Sequence, residues 1–371
     1  MLCPGAAHGS LPRQFGAGGT VVVMDHTILQ TGYTRMRCST LHLPGCVVLL
    51  ALLVGLSTPA LARIMQVGLV TDIGKVDDHT FNEFAYQGMM RAVKEFGLKS
   101  AFIETQQPTD YEKNIEQLIS TGSEMIITVG FMLGDATRKM ALKYPHVQFA
   151  IVDFAYDPPV VNIVGLTFAE DQSGFLAGAL AGLMTKTKTV GMVAGVEIPP
   201  VIRFRKGYEA GVKHVCPTCQ VLVVYIDSFA DPARGKTAAL SQRDEGADVV
   251  FGGGGTTGSG AILGASQAGI WVLGVDQDEY LTTFKQGEVK GANKLLSSAM
   301  KRVDNAVYGA IKMAVAGMFK GGTQVFDASN DGIGLAPFHA TESAIPDTVK
   351  ATLQEIAAGL KAGTMQTGVI R

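Results

Sequence analysis

The stretch 66–97, QVGLVTDIGKVDDHTFNEFAYQGMMRAVKEFG, decides how the rest of the chain is read. Val67-Gly68-Leu69-Val70 is a short apolar run rich in branched side chains, the composition of a strand covered on both faces. A polar loop, Asp72 to Asp78, follows, and then apolar or aromatic residues recur at helical spacing: Phe81, Phe84, Ala85, Met89, Ala92, Val93 and Phe96. Strand, polar loop, helix is the opening unit of a parallel α/β sheet. Ligands of such sheets sit beyond the carboxyl ends of the strands, which places 71–82 at the mouth of a cleft. Thr80-x-x-Glu83 also fits a helix capping box, with Asp77 and Asp78 complementing the positive end of the helix dipole. Phe81, in the first helical turn, either packs under the loop or shows its face to a ligand.

Further along, the same alternation continues. Strands are expected at 101–104, 125–130, 148–153 and 162–166, and helices at 111–121 and 135–143. An apolar helix over 171–184 carries Gly174, Gly178 and Gly182, which permit close packing. The plan then restarts with strand 189–194 and helix 201–214, where Phe204 stands as Phe81 does in the first unit. Strand 221–227, helix 232–245, strand 248–251, a helix from Gly258 and strand 270–275 complete the second unit. Helices at 298–316 and 345–360 are expected to return to the first. The fold class is therefore α/β, a type I periplasmic-binding fold of two Rossmann-like lobes with parallel sheets joined by crossovers. Lobe 1 is expected over 63–166 plus about 292–371, lobe 2 over 167–291, and no helix-turn-helix precedes them.

The chain has 371 residues, 47% hydrophobic and 17% charged, enough for two domains with real cores. Its formal net charge is −2 and no basic stripe is present, which argues against nucleic acid as a partner. Residues 1–62 read as a leader. From Met36 come a charged start, an apolar centre 47–56 and an Ala60-Leu61-Ala62 site, the order of a secretory signal cleaved after Ala62, with Met24 as another start. The expected product is exported and soluble. Leu43-Pro44-Gly45-Cys46 imitates a lipobox but precedes the apolar run, so tethering at Cys46 is not expected.

Cys3, Cys38 and Cys46 go with the leader, leaving Cys216-Pro217-Thr218-Cys219. Such a pair can be redox-active or half a zinc site. No second pair completes a zinc site, and the motif follows a helix where redox pairs precede one. An exported compartment favours a structural disulfide between Cys216 and Cys219. No metal site and no cofactor are expected.

The run 252–260, GGGGTTGSG, follows a strand and opens a helix, but no Gly-Lys-Ser/Thr ends it. The preferred reading is backbone that approaches a neutral ligand closely and offers N–H groups near Gly255. Acidic residues recur at strand ends: Asp72, Asp153, Asp227 and Asp276. Each can cap a turn, and each can accept from paired ribose hydroxyls. Phe81, Phe154, Phe204 and Phe229 are stacking candidates, while Phe131 and Tyr208 read as core.

Asp72-x-Gly74-x-x-Asp77-Asp78-x-Thr80-Phe81-Asn82, followed by a helix with Gly88, resembles the signature of the basic membrane protein family, the PnrA-like purine nucleoside receptors of ABC transporters. The resemblance continues in order through Val129-Gly130-Phe131, Phe149 to Asp153, 174–178, Phe204-x-x-Gly207-Tyr208-x-x-Gly211, Gly235-Lys236, 246–250, the glycine cluster, Gly274-Val275-Asp276 and Ser298-x-x-Lys301. It implies a receptor that closes two lobes around a purine nucleoside and delivers it to a membrane permease and its ATPase. It also implies Asp276 on the sugar with Lys301 donating alongside. Asp72, Asp153 and Asn82 are then candidates for the base edge or further sugar contacts, and Thr80 is a further candidate for ligand binding. Many members of this family are lipoproteins, from which the lipobox order departs. Alternatives are a free purine base or a flavin in the same site. A nucleoside hydrolase lacks its carboxylate cluster, G-x-S-x-G elbow or placed histidine here. A sensor ectodomain is a further alternative.

Overall fold

Branched residues covered from both sides make the first strand: β1 (Gln66–Ile73) is buried continuously from Val67 to Asp72. The computed structural model describes residues 64–370; the leader, its cleavage site and Cys46 lie outside the described residues. After β1 come α1 (Phe81–Phe96), β2 (Lys99–Thr105), α2 (Tyr111–Ser120), β3 (Met125–Val129), α3 (Gly134–Lys143), β4 (Gln148–Val152) and β5 (Ile163–Phe168). The second half runs α4 (Glu170–Met184), β6 (Thr189–Ala194), α5 (Pro199–Val215), β7 (Gln220–Tyr225), α6 (Pro232–Asp244), β8 (Val249–Gly253), α7 (Gly255–Gln267) and β9 (Trp271–Asp276). It ends with β10 (Leu295–Lys301), α8 (Val303–Val315), β11 (Gly322–Phe326), β12 (Ile333–Leu335) and α9 (Asp347–Ala362).

The strands form two six-stranded sheets of the same order, β2-β1-β3-β4-β5-β11 and β7-β6-β8-β9-β10-β12. All described pairings are parallel except β10 with β12. In each sheet the order reverses between the first and third strands, which opens a crevice at their carboxyl ends. Helices α1 and α8 cover one face of the first sheet, and α2 and α3 the other. The second sheet lies between α4, α5 and α9 on one side and α6 and α7 on the other. This is the two-lobed type I periplasmic-binding architecture.

The chain crosses between sheets after β5, after β10 and after β11. The lobe boundary expected near residue 292 is therefore corrected: β10 belongs to the second sheet, beside β9. The expected helix 298–316 is strand β10 followed by α8. Leu, Ala, Met and Lys favour helix, but 295–299 are all buried, the strand pairs with β9 along its length and with β12 from Ala299 onward, and tertiary burial overrides propensity. Of the two helices expected to return to the first lobe, α8 does so, followed by β11. Helix α9 packs Val349, Leu353, Ile356 and Leu360 into the core of the second.

Helices α4 and α5 meet through small residues. A methyl on Gly178 would lie 2.1 Å from the carbonyl oxygen of Tyr208, and one on Gly211 would lie 2.0 Å from that of Phe175. Backbone therefore packs on backbone, which fixes the start of α5 and the residues it carries. Gly178→Ala is expected to cost about 1–3 kcal/mol by overpacking, although alanine is the better helix former by about 1 kcal/mol. Urea unfolding checks this, and unchanged stability would show slack between the helices. Beyond α5, Cys216 and Cys219 are disulfide-bonded across the turn into β7. Among the described residues no helix is long and apolar enough to cross a membrane.

Candidate functional site

The loop after β1 is built differently from a capping box. Asp78, not Thr80, caps α1: its carboxylate accepts from the N–H groups of Thr80, Asn82 and Glu83 at 2.9, 3.1 and 3.1 Å. Glu83 accepts from the N–H of His79, and Thr80 Oγ1 is buried with no partner among the described residues. Asp78 prevails because it sits two residues ahead of the helix and can serve three orphan donors at once. The Thr80 carbonyl accepts from Gln277 Nε2 at 3.1 Å, and that of His79 from Thr282 Oγ1 at 2.9 Å. These bonds draw the loop after β9 against the loop before α1, one from each lobe.

Between them lies a cavity of about 470 Å³. Its walls are the strand-end loops of both sheets, at the two crevices that the strand order creates. Of the residues expected there, Asp72, Phe81, Asn82, Asp153, Phe204, Phe229, Gly255, Asp276 and Lys301 line it. Thr80 does not, because its side chain turns inward and is fully buried. Phe154 does not either. Its ring lies over Gly134, where a methyl would come within 2.4 Å, and packs on Phe131 and Tyr156 at 5.1 and 4.8 Å. Phe131, read from sequence as core, takes a place on the wall instead. Tyr208 is core, packed on Phe251.

The glycine run has a packing role. Phe229 rests on Gly195, Gly254 and Gly255: a methyl on Gly195 would lie 2.4 Å from its ring, and one on Gly255 2.6 Å from its carbonyl oxygen. Gly254 and Gly255 also take positive φ, 136° and 57°, to turn from β8 into α7. The run thus seats an aromatic wall of the cavity while exposing backbone to it.

Charge is concentrated at the centre. Lys301, at the end of β10, is 2% exposed. Its Nζ lies 2.6 Å from Asp153 Oδ1 and 3.0 Å from Glu170 Oε1, and Glu170 in turn accepts from Arg203 Nε at 2.6 Å. Burial works against the Lys301 charge, but Asp153, Glu170 and Asp276 outweigh it and hold the ammonium above its ordinary value. The ammonium also lies 5.2 Å from the Phe81 ring centroid and 5.8 Å from that of Phe204, so one aromatic from each lobe flanks it.

Asp276 is 6% exposed, sits at φ 66° and has no hydrogen-bond partner for its carboxylate among the described residues. Burial pushes its pKa up to about 7, against the pull of Lys301. Glu279 is likewise pushed to about 7 by burial, although Thr283, Val275 N–H and Ser259 all donate to it. It ties down the loop that carries Asp276. Asp227, the remaining strand-end acid, is 81% exposed, pairs with Arg234 and lies outside the cavity lining.

Sequence reasoning missed Glu170, Phe131 and Asp78. Asp78 had a legible signal, an aspartate ahead of a helix. Glu170 had none, since an acid in a first helical turn is ordinarily a dipole partner. Among the described residues no group of three His, Cys, Asp or Glu is placed to hold a metal ion.

Two parallel α/β lobes with a buried, mixed polar and aromatic cavity between them define a solute-binding protein. A crystal structure of an ABC transporter solute-binding protein from Aeropyrum pernix K1 superposes with a TM-score of 0.75 at 24% identity, covering 81% of this chain and 92% of that one. The chain belongs to the Bmp family, described as ABC transporter substrate-binding protein PnrA-like, whose model matches residues 65–360. An ABC transporter nucleoside-binding protein, BmpA, of Lactococcus lactis is 34% identical over 309 residues, 80% of this chain and 88% of its own. An uncharacterized lipoprotein of Pyrococcus abyssi is 31% identical over 294 residues, 76% of this chain and 71% of its own. That likeness gives no support to the expectation of an untethered protein.

Proposed function

We propose that this protein captures a purine nucleoside between its lobes outside the cytoplasm and delivers it to a membrane permease, without chemistry on the ligand. The observation that carries the reading is the pairing in one buried cavity of a carboxylate lacking partners, Asp276, with phenylalanines from both lobes. A buried polar group without a partner is costly, so the site calls for a ligand that donates to it. Neighbouring ribose hydroxyls do so, and Phe81, Phe204 and Phe229 offer faces to a flat base. Asp72, Asp77, Asp78, Asp153 and Asp276 outnumber Lys75 and Lys301 on the lining, which favours an uncharged nucleoside over a phosphorylated one. The L. lactis relative, by its description, binds nucleosides.

Mass spectrometry of the small molecule released on denaturing the purified protein is the test, with calorimetry against adenosine, guanosine, adenine and riboflavin. The expected result is a purine nucleoside bound one to one. Tighter binding of adenine or riboflavin than of either nucleoside would overturn the ligand class. Steady release of free base from inosine would overturn the transport role.

A further inference from the structure

We propose that Tyr111, which lies outside the cavity lining, is a positioning residue that commits Asp72 to accept a hydrogen bond from the ligand, so that Asp72 and Asn82 together read an N–H donor on the edge of the base. This rests on the nucleoside reading above and on the base-edge role that the resemblance implies for Asp72 and Asn82, and adds to them what sets the recognising group.

The argument starts at the first turn of α2. Tyr111 and Asn114 stand one turn apart on the same face and both are buried. Asn114 donates to Thr105 Oγ1 at 3.0 Å, the N–H of Thr105 donates to Thr71 Oγ1 at 3.1 Å, and Thr71 donates to the carbonyl of Gly74 at 3.0 Å. Helix α2 is thereby stitched through β2 to the loop that carries Asp72. The Tyr111 hydroxyl itself donates to Asp72 Oδ1. That same oxygen accepts from the N–H of Ile73 at 2.6 Å.

Two donors on one oxygen have two consequences. They favour the charged carboxylate, and they fix which oxygen is left over. The remaining oxygen, Oδ2, has no hydrogen bond among the described residues and lies against Gly130 on the cavity wall. A methyl on Gly130 would come within 3.0 Å of it, so glycine leaves this acceptor open. Burial raises the Asp72 pKa, and the bonds from Tyr111 and Ile73 oppose that rise. The other titratable groups on the cavity are Lys75, Asp77 and Asp78 in the same loop, Asp153 after β4, Asp276 at the end of β9 and Lys301 at the end of β10.

Asn82 supplies the second half of the reader. It is 5% exposed and lines the cavity, while its Oδ1 is shielded and has no partner among the described residues. Gly74 leaves room for its amide, since a methyl there would lie 2.9 Å from Nδ2. The open carboxylate oxygen of Asp72 and the Asn82 amide on the same lining suit an exocyclic amine or a ring N–H. They do not suit an edge that presents only a ring nitrogen lone pair.

Calorimetry with adenosine, guanosine and purine riboside, which has no donor on that edge, tests this across pH 5 to 8. The wild-type protein is expected to bind the two donor-bearing nucleosides roughly 100-fold or more above purine riboside. Tyr111→Phe keeps the ring and removes the donor. It is expected to weaken adenosine and guanosine about 10-fold with purine riboside unchanged. It should also move the acid limit of binding to higher pH, because Asp72 loses a bond that keeps it charged.

A second variant gives the opposite sign. In Asp72→Asn the Tyr111 hydroxyl and the Ile73 N–H hold the amide oxygen, which turns the NH₂ toward the cavity and shifts preference to purine riboside; adding Tyr111→Phe leaves Ile73 alone in that task and should reduce the shift. A merely structural tyrosine would weaken all three ligands alike. Unchanged ligand ratios and an unchanged pH profile in Tyr111→Phe overturn the role of Tyr111 while leaving the nucleoside reading intact. Failure of the wild-type protein to bind any of the three overturns the nucleoside reading, and this inference with it.

Discussion

Asp276→Ala is expected to weaken nucleoside binding by roughly 100-fold or more while changing the affinity for free purine bases by less than about 10-fold. The estimate comes from two hydrogen bonds to a charged acceptor, each worth about 1.5–3 kcal/mol, where about 1.4 kcal/mol is a factor of ten. The pH dependence carries a second signature. In the ligand-free site burial holds the Asp276 pKa at about 7. A diol donates a charge-assisted bond to each oxygen of the carboxylate, whereas the protonated acid keeps only one good acceptor, so tight binding is coupled to loss of the proton. Affinity should therefore be level above pH 7 and fall below it, by up to about tenfold per pH unit. The alanine variant should flatten that slope. Calorimetry of nucleoside and base side by side, at pH 5.5 and 8, reads both effects. Equal losses for the two ligands would remove Asp276 from the sugar, and an unchanged slope would assign the titration to another acid.

The second large effect concerns stability. Lys301→Met removes the cation that Asp153 and Glu170 share in a nearly dry interior. Breaking such a buried pair by deleting one partner costs about 3–5 kcal/mol, which for a chain of this size corresponds to a fall in Tm on the order of 10 °C. Glu170 keeps Arg203, but Asp153, whose pKa burial already raises to about 6 against the pull of Lys301, regains its neutral form on acidification. Its folded pKa then stands above the unfolded one, so the folded state binds more protons as pH falls, and the deficit should shrink from pH 8 toward pH 5. Pairing Lys301→Met with Asp153→Asn should recover part of the loss, since the substitutions share one interaction. Thermal unfolding of the three variants across pH decides it. A Lys301→Met protein as stable as wild type at pH 8 would show that water or other donors satisfy the acids.

How much of this was visible in the chain follows from what each residue type can signal by itself. The β1-loop-α1 unit was legible because a branched apolar run, a polar loop and a 3.6-residue period each identify themselves locally. The helix-spaced glycines of α4 also announced a close contact. Strand β10 was not legible, because Leu295, Leu296, Ala299 and Met300 are good helix formers and only the pairing with β9, joined at the strand's end by β12, makes them a strand. The destination of α9 was hidden for a related reason: an amphipathic helix shows that it has a buried face and not which sheet receives it. Within the site, acids at strand ends pointed to Asp72, Asp153 and Asp276 but equally to Asp227, which faces solvent. The exchange of Phe154 for Phe131 depends on Gly134 giving Phe154 a place to pack, a relation across strands that spacing does not encode. Lys301 was found by resemblance, whereas its second partner, Glu170, meets it only through the crossing from β5 into α4, a relation that local sequence does not encode.

The three crossings between sheets bear on how the molecule can be made. The first sheet takes its last strand, β11, from residues that follow all but one strand of the second, and the second takes β12 and α9 after that. Neither half is a continuous piece of polypeptide. A chain emerging from its N-terminus can assemble β1 to β5 early, yet both edges stay open until nearly the whole sequence has appeared. Gene fragments ending anywhere before β11 should leave β5 without its outer partner in place of a free-standing half, even though the cavity lining is already complete at Lys301.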